Sequence, residues 1–190
     1  MAWEGRSQRS SKKAEKNAEP LTRQKLEQLA LAYVNRFDCT AAKLTSHLTQ
    51  RVRKLGAAAD DDTGRWIAEL VERYLGSGVL NDARFAQNLA SQLTSRGKSA
   101  RAISQKLTLR GVSQQLSTEL MTARREAEPG AELAAARTYV RKRRLGPFRE
   151  PEQRAAHHQK DLASLARQGF SFDVARQALG PARSGDDDDF

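Results

Sequence analysis

The side chains of this sequence that could do chemistry are its cations. From residue 79 to 113, six basic residues (Arg84, Arg96, Lys98, Arg101, Lys106 and Arg110) face a single acid, Asp82. The stretch RTYVRKRRLGPFR, 137–149, holds six more (Arg137, Arg141, Lys142, Arg143, Arg144 and Arg149) and no acid. Lysine and arginine pair with phosphate and carboxylate, so these runs offer recognition of a polyanion, either nucleic acid or an acidic protein. The plainer readings are a solvated helix face or cations settling a helix C-terminus. Four in succession at 141–144 exceed what a helix end needs. Arg84, beside Asp82, reads as a local ion pair or cap. The candidate binding set is therefore Arg96, Lys98, Arg101, Lys106, Arg110, Arg137, Arg141, Lys142, Arg143, Arg144 and Arg149.

No catalytic set accompanies these cations. The sequence has no glycine-rich phosphate loop and no G-x-S-x-G elbow. Its single cysteine, Cys39, has no histidine at a telling spacing and reads as a small packing residue. His157 and His158 are adjacent, so on a helix they diverge and cannot share a metal. Asp60-Asp61-Asp62-Thr63-Gly64 lacks the alternating ligands and distal glutamate of a calcium loop and reads as a solvated loop. Aromatic residues make up 6%, and Tyr33, Phe37, Trp66, Tyr74 and Phe85 fall on apolar stripes. That places them in a core rather than on a base-stacking platform. The expectation is a protein that is not an enzyme and takes no cofactor or metal.

Composition agrees with a polyanion partner. The 190 residues carry 33 Lys and Arg against 23 Asp and Glu, a net charge of +10. Asp186–Asp189 supply four of those acids; the remainder holds 33 basic against 19 acidic residues, or +14. One cysteine forbids an intrachain disulfide, and the polar N-terminal stretch has no apolar segment of a signal peptide. No apolar run approaches a membrane span. A cytoplasmic, monomeric protein is expected.

The elements that must position the cations are helical. Leu26, Leu29, Ala30, Tyr33, Val34 and Phe37 follow the spacing of one helical face, and so do Trp66, Ile67, Leu70, Val71, Tyr74 and Leu75. Asp62 or Thr63, Asn81 or Asp82, Ser99 and Ser113 are expected N-caps. Displacing the chain by 59 residues lays TAAKLTSHLTQR (40–51) on SARAISQKLTLR (99–110). A further displacement by 58 lays LTLRGVS (107–113) on LARQGFS (165–171). Matches in chain order, each between helices, indicate an internal repeat. The predicted fold is all-α: three tandem three-helix, helix-turn-helix-like repeats over 21–79, 80–128 and 129–181, forming an elongated, curved molecule. A disordered basic tail, 1–20, and an acidic tail, 182–190, flank them. The third repeat has a longer join between its first two helices, through LGPFREPEQR.

Residues 80–113 resemble the RecX family of regulatory proteins. Leu80, Asn81, Asp82, Arg84, Phe85 and Ala86 match a Leu-Asn/Asp-Asp-x-Arg-Phe-Ala stretch of that family. Gly97, Ile103, Leu107, Arg110, Gly111 and Val112 match its basic glycine turn and the helix that follows. LARQGFSFDVARQAL, 165–179, is similar to the family's C-terminal helix pair. The resemblance spans roughly residues 24–180; both tails and the PEQRAAHHQ join lie outside the pattern. It implies a three-repeat helical protein that binds the RecA recombinase filament on single-stranded DNA and restrains it, with double-stranded DNA a further candidate partner. The rival reading is a general DNA-binding helical-repeat protein acting without RecA.

Overall fold

The computed structural model describes residues 21–55 and 61–181; both expected tails and residues 56–60 of the expected loop lie outside them. Every regular element among the described residues is a helix. None of these helices is long and apolar enough to cross a membrane. The chain forms two compact units that divide between Asn81 and Asp82.

The first unit contains α1 (Arg23–Val34), α2 (Ala41–Lys54) and α3 (Asp61–Gly76). Thr22 and Thr40 precede α1 and α2, and their hydroxyls accept the amides of Lys25 and Lys43, each at 3.2 Å. Each thus satisfies one of the amides that a helix start leaves without a partner. Leu26 and Ala30 of α1, Leu44, Leu48 and Val52 of α2, and Ile67, Leu70, Val71 and Tyr74 of α3 form one core, with Cys39 and Leu80 packed into it. Arg23–Glu69 and Arg73–Glu27 pair α1 with α3 on the exposed side.

Two expectations are corrected here. Asp61, Asp62, Thr63 and Gly64 belong to α3, not to a loop. Phe37 continues the apolar spacing of α1, but the helix stops at Val34 and the chain turns, which leaves Phe37 47% exposed instead of in the core.

The second unit contains α4 (Asp82–Ser95), α5 (Ala100–Leu109), α6 (Gln114–Ala127), α7 (Ala131–Arg143), a 3-10 turn (Gly146–Phe148), α8 (Pro151–Arg167) and α9 (Phe172–Leu179). It has two cores. Phe85, Ala86, Ala90, Ile103, Leu107 and Val112 build one from α4–α6. Val140, Leu145, Leu165, Phe170 and Leu179, with alanines of α7 and α9, build the other.

The repeat is visible residue by residue. Thr40 and Ser99 are both fully buried N-caps, and Leu44/Ile103 and Leu48/Leu107 fill matching core places. Ser113 and Ser171 cap α6 and α9 through the amides of Leu116 and Val174. Val112 and Phe170 are buried just before those caps.

The two halves of this unit meet at a glycine. Gly97 ends α4 with φ +76°, and a Cβ built there would lie 2.9 Å from the backbone nitrogen of Tyr139 and 3.0 Å from the carbonyl oxygen of Ala135. The α4–α5 turn therefore lies directly against the backbone of α7. Gly97→Ala combines left-handed strain with a clash against a rigid helix, and is expected to lower stability by about 2 kcal/mol or more. Urea denaturation followed by circular dichroism checks this; a change within error would show that the turn can move off α7.

Candidate functional site

Close packing at Gly97 decides where the cations go. Arg96 and Lys98 flank that glycine, so the turn delivers both to the edge of α7. There the ammonium of Lys142 donates to the carbonyl of Arg96 at 3.2 Å. One residue of each basic run, 46 positions apart in sequence, is thus brought to one edge. Lys98 reaches the side-chain oxygen of Gln168 at 3.4 Å. Arg137, Arg141, Lys142, Arg143 and Arg144 are all exposed on α7 and its end. Lys106 of α5 and Arg110, which ends it, are one turn apart and exposed, while Ile103 and Leu107 are buried.

The C-terminus of α7 is unusual. α4, α5 and α8 are each followed by a glycine with positive φ (Gly97, Gly111 and Gly169), whose amide bonds back into the helix's last turn. That is the ordinary glycine ending, because glycine has no Cβ to clash. After α7 the same place is held by Arg144 at φ +52°, the one non-glycine residue with positive φ among those described. An L-residue there costs about 1 kcal/mol that glycine would not.

Arg149 departs from the expected set. Its guanidinium holds Asp161 through two bonds, Nε to Oδ2 at 2.8 Å and Nη2 to Oδ1 at 2.7 Å. Asp161 is buried and also accepts the amide of Gly146 at 2.9 Å. Arg154 donates to the carbonyls of Arg149 and Pro147. The longer join of the third repeat is therefore pinned to α8 by its own arginines, and Arg149 braces the fold instead of presenting a free cation. Burial alone would raise the Asp161 carboxyl, but the bonds from Arg149 and Gly146 outweigh it and hold it below its ordinary value.

A second group of cations lines a cleft of about 620 Å³ within this unit. Lys98 and Arg101 meet Arg124 and Arg125 of α6 over Ile103 and Met121. Sequence reasoning missed the two α6 arginines because Glu126 and Glu128 follow them and cancel their charge in any window. Arg124 is held by hydroxyls, Nη1 on Ser91 at 3.1 Å and Nη2 on Thr94 at 3.3 Å. At the rim, Glu132 accepts the Ala100 amide at 2.9 Å and occupies the start of α5. Burial pushes its carboxyl up, and the Ala100 amide partly opposes that. Ser99 donates to the carbonyl of Gln168 at 2.5 Å while capping α5 through Ala102. Among the described residues no three His, Cys, Asp or Glu side chains are placed to hold a metal. What this surface can do is bind anions.

The fold and its cations together define a helical-repeat protein with a basic edge and a basic cleft. The family described as RecX, second three-helix domain, matches residues 81–121, which cover α4, α5 and part of α6. The Regulatory protein RecX of Myxococcus xanthus is 34% identical over 161 residues, covering 81% of this chain and 83% of that protein. The Regulatory protein RecX of Chromohalobacter salexigens is 32% identical over 153 residues, covering 80% and 90%. The crystal structure of RecX from Lactobacillus salivarius superposes with a TM-score of 0.59 at 16% identity, covering 83% of this chain and 94% of that one. The chain belongs to the RecX family of regulatory proteins.

Two substitutions separate bracing from binding. Asp161→Ala leaves a buried amide and a guanidinium without their acceptor and should cost about 3 kcal/mol. Because the folded carboxyl sits below its unfolded value, the pair's contribution is full above about pH 4 and fades as pH falls further. Acid denaturation of the natural chain and of the variant should therefore converge at low pH, and a constant difference would exclude the linkage. Arg144→Gly removes the left-handed strain and should be neutral or stabilising by up to about 1 kcal/mol, read as Tm in calorimetry.

Proposed function

We propose that this chain is a non-enzymatic regulator that binds the RecA filament on single-stranded DNA and lowers its strand-exchange and ATPase activity, acting in the cytoplasm in DNA repair and the SOS response. Family membership over four-fifths of the chain carries this reading. The basic edge at α7 supports it: Arg137, Arg141, Arg143 and Arg144 are exposed and make no ion pair with any described residue, so their charge is available to phosphate or to acidic filament surface. Repeated helical modules also supply several weak contacts at once, and linked contacts gain avidity. Arg149 is left out of the binding set because Asp161 holds it.

The same unpaired cations favour one rival, a DNA binder that needs no RecA. The two separate in a titration of the cognate recombinase hydrolysing ATP on single-stranded DNA. Inhibition well below the RecA concentration supports the filament reading; inhibition only once this protein can coat the DNA supports the rival. Reversal of Arg141, Lys142, Arg143 and Arg144 to Glu should weaken inhibition with helicity unchanged. It should also flatten the salt dependence of DNA binding, by roughly 0.7 in log–log slope per lost phosphate contact on a single strand. Full inhibition by that variant would remove the α7 edge from the mechanism.

A further inference from the structure

The first unit holds a surface that the basic runs of the sequence do not reveal. Leu44, Leu48 and Val52 turn one face of α2 into the core with no exposed area. Along one flank of that face Lys43, His47 and Arg51 follow at successive turns, with Lys54 one turn further, a ridge of about 16 Å. Lys43, Arg51 and Lys54 are exposed. From residue 28 to 54 the chain has five Lys and Arg and one acid, Asp38. The described ion pairs of this unit, Arg23–Glu69, Arg65–Glu69 and Arg73–Glu27, involve none of the ridge's cations.

Beside the ridge stands a file of rings. His47 stacks on Tyr33 with centroids 3.9 Å apart and planes at 21°. Tyr33 meets Phe37 at 5.1 Å. The guanidinium of Arg36 lies over the ring of Phe37, 5.3 Å from its centroid. Phe37, at 47% exposure, thus forms the outer end of an aromatic file flanked by cations. The His47 imidazole is held down first by burial and then by Arg51, Lys43 and Lys54, so positive potential from all three converges on the rings. Aromatic faces interleaved with a basic track are what an unpaired nucleic acid strand needs: bases stack, and phosphates follow the cations. An acidic peptide would use the cations and leave the exposed ring unexplained. The 59-residue repeat places Lys106 of α5 and Arg110 at its end on His47 and Arg51, so the second helix of each module carries exposed cations at the matching places, Arg51 in one and Lys106 with Arg110 in the other.

We propose that this ridge binds unpaired nucleic acid, with Phe37 stacking on a base and Arg36, Lys43, Arg51 and Lys54 contacting phosphates. The inference rests on the reading that the chain meets single-stranded DNA, but its test uses neither RecA nor ATP, so either can fail alone.

The experiment is fluorescence anisotropy of the full chain with a labelled oligothymidylate and with an abasic strand of equal length. The natural chain should prefer the oligothymidylate. Phe37→Ala should weaken that binding about tenfold and leave abasic binding unchanged, since only the stack is lost. Phe37→Leu, which keeps an apolar side chain against Tyr33, should behave like the alanine variant. Arg51→Glu should weaken both strands. Equal binding of both strands by the natural chain, or equal effects of Phe37→Ala on both, overturns the proposal. So does tighter binding of an oligo-aspartate peptide than of the oligothymidylate.

Discussion

The approach of the α4–α5 turn to the backbone of α7 is the constraint on which the second unit depends. At Gly97 there is no room for a methyl group. Its left-handed φ and its missing Cβ are both required, the first to end α4 and the second to let two helical cores share one wall. Ser99 extends the junction by capping α5 and bonding the α8–α9 turn at the Gln168 carbonyl. Gly169 repeats the device: a Cβ there would lie 2.9 Å from Ser99 Oγ. The hydroxyl cap and the glycine turn are local signals, yet here they act between modules. Each three-helix module is too small to bury much surface alone, so the close approach supplies stability as well as geometry.

These signals made the fold legible. A hydroxyl residue ahead of an apolar period is a strong local cap signal, which is why the starts of α5 and α6 fall where the sequence places them. The failures have equally local causes. Phe37 keeps the helical period after the helix has ended, because apolar spacing carries no information about where Asn35 and Arg36 turn. The aspartates after residue 60 read as loop because acidity looks like solvation, whereas acids at a helix start are favoured by its dipole.

The candidate site was legible as charge and illegible as partnership. Arg149 looks like its neighbours in a basic run, but its fate depends on a buried carboxylate twelve positions away. Arg124 and Arg125 look neutralised by their neighbours, yet the glutamates that follow do not pair with them in the structure. Charge counted along a chain averages over directions that a helix separates, so a run of cations predicts a field and not a surface.

A surface of unpaired cations has a cost. Like charges gathered on one compact unit repel one another and weaken it. Around α7 the fold adds a second cost by placing Arg144 where glycine would be unstrained. Neither is offset locally, since the exposed cations of α7 have no described carboxylate partner, while Arg149 nearby shows that the fold can supply one. Stability comes instead from the two cores and the glycine-mediated junction. Strain and unpaired charge that coincide at one helix end support the proposal that this end meets an external partner. On that view the rigid junction holds the cations in place before the partner arrives, so that little ordering remains to oppose binding.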